Sequence, residues 1–277
     1  MAQTSPIGRM AVVGAGKMGD TLISALLEAN ALEAHEIVAT AKHSERLDWL
    51  AERYGIETTL DNREAVEGAD LVLLCVKPQV AAEVLHQIRP VLEGRADGPV
   101  ILSIVAGLTT TAIEDCLPPG IPVVRAMPNT PSRLGQGMTA VCGGRVARDE
   151  HLEMGQDLFS RLGRALILEE KHFDAVTGLS ASGPAFIYII LEAMAEGGVK
   201  GGLPRRVATE LAAQTCLGAA HMVLETGHHP ALLKDEVTTP AGCTIDGILK
   251  LEEGGLRVTL IKAIVEAQRR ARELVDG

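Results

Sequence analysis

Aromatic residues are scarce: one Trp, two Tyr and three Phe in 277 residues. That leaves almost no platform on which nucleic-acid bases could stack. Basic residues are in deficit, 26 Lys and Arg against 36 Asp and Glu, for a formal charge of −10. The basic face that nucleic-acid binding requires is therefore missing. The five cysteines (Cys75, Cys116, Cys142, Cys216, Cys243) form no C-x-x-C pair and no Cys/His cluster with zinc spacing. Scattered thiols of odd number suit a reducing, cytoplasmic setting and no metal site. No charged amino-terminal segment leads into a long apolar stretch, so no secretory leader is expected. The longest apolar run, Ala185 to Leu191, is about a third of a membrane span, so no membrane partner is expected either.

What is present is a 47% hydrophobic chain with 29 glycines, enough for a large core and close backbone packing. The first half alternates strand-like and helix-like stretches. Strands are expected at Met10–Val13, Ile37–Thr40, Leu71–Val76, Val100–Val105, Val123–Met127, Met138–Cys142 and Ala165–Leu168. Helices are expected at Met18–Asn30, Ser44–Tyr54 with Ser44 as cap, Val80–Ile88 and Asp149–Leu162. This alternation predicts an α/β, Rossmann-type, mainly parallel doubly wound sheet over residues 1–168. Residues 169–277 read as all-α: Ser182-Gly-Pro184 as a helix start, then Ala185–Val199, Pro204–Thr226, Ala231–Val237, Thr244–Glu252 and Leu256–Leu274. Small residues on several faces of these helices (Ala193, Ala195, Ala208, Ala212, Ala213, Gly218, Ala219, Ala220) suit an interlocked dimer; a helical domain packed only on its own sheet is the alternative.

Met10-Ala-Val-Val-Gly14-Ala15-Gly16-Lys17-Met18-Gly19 carries a complete G-x-G-x-x-G between an apolar strand and an amphipathic helix. In that context Gly14 permits the tight turn, Gly16 the approach of a pyrophosphate, and Gly19 close helix–strand packing. The helix N-terminus adds N–H donors and a positive dipole end. At the end of the second strand an Asp or Glu would bind a ribose 2′-hydroxyl. The chain instead reads Thr40-Ala41-Lys42-His43-Ser44, with no carboxylate before Glu45. Thr40, Lys42, His43 and Ser44 can accept a 2′-phosphate, which predicts NADP (as NADPH) over NAD (as NADH). Lys42 and His43 as a solvated turn is the competing reading. The strand-end segments Cys75-Val76-Lys77-Pro78 and Ile104-Val105-Ala106 are expected to face the nicotinamide half. Lys77 acts there either as an acid or with its ammonium outside the site. Far along the chain, Glu236-Val-Thr-Thr-Pro240-Ala241-Gly242-Cys243-Thr244 offers amides and hydroxyls to a small anionic substrate.

These segments, with Arg125-Ala-Met127-Pro128-Asn129-Thr130-Pro131, Asp174-Ala-Val-Thr177-Gly-Leu-Ser180-Ala-Ser182-Gly183-Pro184-Ala185 and Gly197-Gly-Val-Lys200-Gly-Gly-Leu-Pro204, carry a resemblance running nearly end to end. The chain resembles the pyrroline-5-carboxylate reductases. The resemblance implies a Rossmann domain joined to a helical dimerisation domain, with dimers that assemble further into decamers. It also implies reduction of 1-pyrroline-5-carboxylate to L-proline by a hydride from NAD(P)H. Three departures from the pattern stand out: Ala241-Gly242 in place of Gly-Gly, with Cys243 before the Thr; Ala181 in the Ser-Gly-Ser-Gly-Pro run; and Glu236 in place of an Asn found in some relatives.

A cyclic imine protonated on nitrogen is already electrophilic, so such an enzyme needs orientation and exclusion of water more than acid–base machinery. Thr244 is the candidate catalytic group, hydrogen-bonding the ring nitrogen, with helix capping as its other role. The backbone N–H groups of Ala241, Gly242, Cys243 and Thr244 are expected to bind the substrate carboxylate. Cys243 reads either as packing or as chemistry. The resemblance places Glu170 against the product, the alternative being a surface charge, and brings Asn62 to the adenosine half. Met127, Asn129 and Thr130 would shape the nicotinamide side. Two other functions stay open: a β-hydroxyacid dehydrogenase, against which stands the absence of a Lys between Ser182 and Lys200, and a dinucleotide-binding protein without enzymatic activity.

Overall fold

The computed structural model describes residues 7–95 and 98–273. In chain order it comprises β1 (Met10–Val13), α1 (Lys17–Glu28), β2 (Ile37–Thr40), α2 (Ser44–Tyr54), β3 (Glu57–Thr59), α3 (Asn62–Val66), β4 (Leu71–Leu74), α4 (Pro78–Leu92), β5 (Val100–Ser103) and α5 (Thr110–Cys116). Then follow β6 (Val123–Met127), β7 (Gly137–Gly143), α6 (Asp149–Ser160), β8 (Gly163–Ile167), α7 (Phe173–Val176), α8 (Gly183–Lys200), α9 (Arg205–Thr226), α10 (Pro230–Glu236), α11 (Cys243–Glu253) and α12 (Leu256–Glu273). Two compact units emerge: residues 1–182 with 266–277, and residues 183–265. The division falls later than the expected 168, and the last turns of α12 belong to the first unit, where Arg272 Nε donates to Asp174 Oδ2 at 2.8 Å. Leu274, the expected end of the last helix, lies outside the described residues.

The first unit holds one eight-stranded sheet in the order β3-β2-β1-β4-β5-β6-β7-β8. All neighbours are parallel except β6 and β7, which run antiparallel. Side chains of a strand alternate between faces, and here both faces are apolar. Met10 and Val12 of β1 and Leu71 and Leu73 of β4 join one core with Leu22, Leu26, Leu50 and Phe159. Ala11, Val13, Val72 and Leu74 join another with Ala81, Leu85, Ile88 and Ile113. That is why these strands read as unbroken hydrophobic runs. The edge strand β3 (Glu-Thr-Thr) and the short α3 lack such a run, and the sequence reading passes over both. α2 closes at Gly55 in the left-handed conformation (φ 68°) as expected, but its N-cap is His43, Ser44 being the first helical residue.

Helical structure does not begin at Ser182. α7 runs into a π-helical turn over Thr177–Ala181, where Ser182 N donates to Thr177 O at 2.9 Å, and the backbone stays helical into α8. Pro184 has no N–H to give the carbonyl four residues earlier, that of Ser180. Asn129 Nδ2 donates to that carbonyl instead, at 3.2 Å. A side chain from a distant loop thus fills the gap that a proline leaves in a helix. The uninterrupted helical stretch Glu170–Lys200 has the length and composition of a membrane-crossing helix, which the short apolar run had not suggested. It nonetheless carries Glu192 and Glu196.

The second unit is all-helical. α8 and α9 approach closely at Ala195, Ala208 and Ala212, backed by Leu191 and Val199. A Cβ at Gly198 would sit 3.0 Å from Ala208 Cβ. That small-residue seam is the unit's buried core. Ile189, Leu211, Leu217, Leu224, Leu249, Ile261 and Val265 are among the large apolar side chains left exposed.

Candidate active site

The sheet order reverses between β1 and β4, and in an open parallel sheet the ligand crevice lies at the carboxyl ends of the strands beside that switch. Gly14 occupies it. Its φ is +84°, and a Cβ there would lie 2.4 Å from Val76 Cγ1, so glycine alone fits. Val76, at the mouth of β4, is the wall that enforces this. Gly16 is exposed, a Cβ there would meet only Gly14 O at 4.0 Å, and the residue is the N-cap of α1 without a side-chain cap. The amides of Lys17, Met18 and Gly19 are left as orphan donors at the positive end of the helix, since Asp20 N returns to Gly16 O at 2.9 Å. A cradle only glycine fits, with uncapped amides beside it, matches the pyrophosphate of a dinucleotide.

Several expected contacts are directed inward. Ala15 is buried, and its N–H donates to Thr40 O at 2.6 Å, so its side chain packs beneath the turn. Thr40 is buried as well. Its hydroxyl accepts from Gly14 N at 3.0 Å and donates to Asn62 Oδ1 at 2.7 Å. Its proton is therefore spent, and Thr40 braces the turn instead of offering a hydroxyl to a 2′-phosphate. Asn62 is likewise engaged, its Nδ2 donating to Gln87 Oε1 at 2.9 Å, so it is part of the brace while its side chain stays half-buried. Ala41 is half-buried, whereas Lys42, His43 and Ser44 are exposed at the end of β2.

Arg46 was not anticipated. From the first turn of α2 it donates Nε to Ala15 O at 3.1 Å and Nη2 to Gly16 O at 3.3 Å, and it lies 3.4 Å from Asp20 Oδ2. Its guanidinium stacks 4.3 Å from the centroid of Trp49, the chain's single tryptophan. A basic residue just after the β2 turn was the available signal.

At the next strand ends, burial pushes the Cys75 thiol well above the ordinary cysteine range, so it is a neutral packing group. Lys77 is exposed as the N-cap residue of α4, and Pro78 is that helix's first residue. After β5, the side chains of Ile104 and Val105 are buried, whereas Ala106 and Gly107 are half-buried and reach the surface, as does the exposed Thr109. Met127 and Asn129 are buried and Thr130 is exposed. Asn129 Oδ1 accepts from Met138 N at 2.9 Å, so Asn129 ties the β6–β7 connection to the π-helical turn.

Glu170 is no isolated surface charge: its side chain is 26% exposed and tied to two other elements. Oε1 accepts from Thr110 N at 2.7 Å and from Arg125 Nη1 at 3.0 Å, and Oε2 accepts from Thr110 Oγ1 at 2.7 Å. Both oxygens are committed to a bracket between β6 and α5.

In the second unit the substrate-loop residues lie together. Gly242 is the N-cap of α11 without a side-chain cap, so Thr244, two residues on, is not the cap. The Thr244 side chain is half-buried and has no hydrogen-bond partner among the described residues. Gly242 N is spent on Thr239 O at 3.0 Å. The open amides are thus those at the start of α11, Cys243 and Thr244 among them. A Cβ at Gly242 would lie 2.5 Å from Thr239 Oγ1. Ala241 holds a left-handed φ of 57°, the conformation a glycine there would adopt without strain. Cys243 is exposed. Among the described residues no group of three or more acidic, His or Cys side chains could hold a metal.

A 3-2-1-4-5-6 strand order with a glycine turn at its switch point, followed by a separate helical unit, defines a dinucleotide-binding oxidoreductase of the Rossmann class. Residues 170–274 match the family model described as pyrroline-5-carboxylate reductase dimerisation, and residues 9–107 match NADP oxidoreductase coenzyme F420-dependent. The pyrroline-5-carboxylate reductase of Corynebacterium melassecola is 42% identical over 96% of this chain and 98% of its own. Among solved structures, that of a pyrroline-5-carboxylate reductase from Coxiella burnetii aligns with a TM-score of 0.87 at 34% identity, over 97% of this chain and 98% of that one. The Plasmodium falciparum pyrroline carboxylate reductase with NADP bound aligns at 0.88 and 26% identity, over 99% and 100%. The chain belongs to the pyrroline-5-carboxylate reductase family.

Proposed function

We propose that this protein reduces 1-pyrroline-5-carboxylate to L-proline with NADPH as the preferred reductant and NADH as the alternative. The observation that carries the reading is the pairing, in one chain of this family, of the Gly14 cradle with the small-residue loop ending in the uncapped N-terminus of α11. Gly14, Gly16 and the amides of Lys17–Gly19 hold the pyrophosphate. Lys42, His43 and Ser44 stand where a 2′-phosphate would meet them, with no competing carboxylate before Glu45. Bound NADPH supplies the hydride.

The remaining work belongs to the chain's own groups. The amides at the start of α11 receive the substrate carboxylate, helped by the helix dipole. The Thr244 hydroxyl, free of any cap, accepts a hydrogen bond from the protonated ring nitrogen and holds the imine in one orientation. Cys243 contributes its backbone. A homodimer, with further assembly to a decamer, covers the exposed apolar side chains of α8, α9 and α12, a dimerisation region by family. The same covering accounts for the apolar stretch 170–200 in a cytoplasmic protein whose thiols are unpaired.

The test is oxidation of NADPH, then of NADH, with racemic pyrroline-5-carboxylate, for wild type and Thr244→Ala. The variant should lose roughly ten- to a hundredfold in kcat/KM, the worth of one positioned hydrogen bond. Wild-type constants in the variant would remove Thr244 from the reaction, and no turnover in wild type would remove the function.

A further inference from the structure

We infer that Glu170 is a positioning residue for the β5–α5 loop, setting how firmly the reduced dinucleotide is held while leaving the substrate untouched. The inference rests on the assignment of that loop to the nicotinamide side. Residues 104–109 are short and anchored at both ends. At the β5 end Ile104 N donates to Leu74 O at 3.1 Å and Val105 N to Ser103 Oγ at 3.2 Å. At the α5 end the anchor is Glu170, which takes both the N–H and the hydroxyl of Thr110, the first residue of that helix. Between the anchors Ala106 and Gly107 reach the surface, Gly107 in the left-handed region at φ 78°.

The far side of the bracket is a buried cation. Arg125 sits mid-strand in β6 with its side chain 3% exposed, 4.8 Å from the centroid of Phe173. Among the described residues Glu170 is the one carboxylate within ion-pair distance of Arg125, and Arg125 Nε and Nη2 have no hydrogen-bond partner. A buried guanidinium with two unsatisfied donors holds its single anion firmly. The carboxylate is thereby fixed in place, and Thr110 with it. Charge-assisted bonds to both Thr110 groups make the α5 anchor stiffer than a neutral cap could. Loss of the anchor frees Ala106 and Gly107, and small displacements of a binding surface carry large penalties in approach geometry.

The experiment uses the full chain, without cofactor and with it. Variants are Glu170→Ala, Glu170→Gln, Thr110→Val and Thr110→Ser, with the double variant Glu170→Ala/Thr110→Val. Backbone hydrogen exchange over residues 105–110 is measured in the free protein, NADPH affinity by titration calorimetry, and KM for pyrroline-5-carboxylate at saturating NADPH. Glu170→Ala and Thr110→Val should each speed loop exchange and weaken NADPH by about tenfold, the worth of one charge-assisted hydrogen bond. Glu170→Gln, which keeps the shape and loses the charge, should fall between wild type and Glu170→Ala. The double variant should be no worse than the worse single one, because both remove the same anchor. Thr110→Ser should restore wild-type affinity, and substrate KM should stay within about twofold throughout.

A raised substrate KM with unchanged exchange and NADPH affinity would make Glu170 a substrate ligand and overturn the inference. So would a lowered melting temperature with neither exchange nor affinity altered. Wild-type protein that does not bind NADPH would overturn the dinucleotide reading and this inference with it. Normal wild-type binding with no change in the variants would overturn this inference alone.

Discussion

Thr40→Val separates two roles for one hydroxyl. In the structure Thr40 is 1% exposed, and its Oγ1 accepts from Gly14 N and donates to Asn62 Oδ1. Valine keeps the branched shape and removes both bonds. The Gly14 N–H is then left without its acceptor beneath the glycine turn, at a cost of about 1–3 kcal/mol. Asn62 is half-buried and regains water, so it adds little. Taking about 2 kcal/mol, and about 2–4 °C per kcal/mol for a chain of this size, the melting temperature should fall by about 4–8 °C. The same loosening of the turn should weaken NADPH and NADH by a similar factor, up to about tenfold. Lys42→Ala is the contrasting variant. Lys42 is exposed just after β2, without an ion-pair partner among the described residues, and its loss should weaken NADPH alone, by about two- to fivefold for a solvent-screened ion pair. Both variants are measured by thermal melting and by titration with each dinucleotide. If Thr40→Val lost NADPH selectively and kept its melting temperature, the hydroxyl would be a phosphate ligand and the bracing argument would be wrong.

Leu217→Glu combined with Leu224→Glu places two charges on the exposed apolar surface of α9 and should break the homo-oligomer proposed above into smaller species. Light scattering after gel filtration checks it, and an unchanged mass, or a monomeric wild type, would sink the dimer assignment. The Cys142 thiol is pushed up to about 12 from 9.0, first by burial and then by the Glu170 carboxylate. The unfolded thiol releases its proton near the ordinary value while the folded one keeps it. Its contribution to stability is therefore complete below pH 9.0 and is lost as pH rises towards about 12. Urea midpoints across that window should decline less steeply in Cys142→Ala than in wild type, and parallel declines would count against the burial argument.

Much of this protein is legible in the order of its residues, because the signals concerned are local. Apolar runs place seven of the strands to within a few residues, and the central ones, β1 and β4, read as unbroken because their two faces meet separate cores. The glycine turn declares itself by a backbone conformation that only glycine holds beside Val76. The loop before Thr244 declares itself by small residues opening a helix. Partners far apart along the chain are decided by tertiary structure alone. Thr40, Asn62 and Glu170 have the right chemistry to touch a ligand, and the fold gives each a partner from a distant part of the chain. Pro184 carries the local mark of a helix start, yet the helix passes through it because Asn129, on a loop after β6, takes up the carbonyl that proline cannot use. Propensity and periodicity act over one or two turns of chain, whereas a buried polar atom must find its partner wherever the fold has brought one.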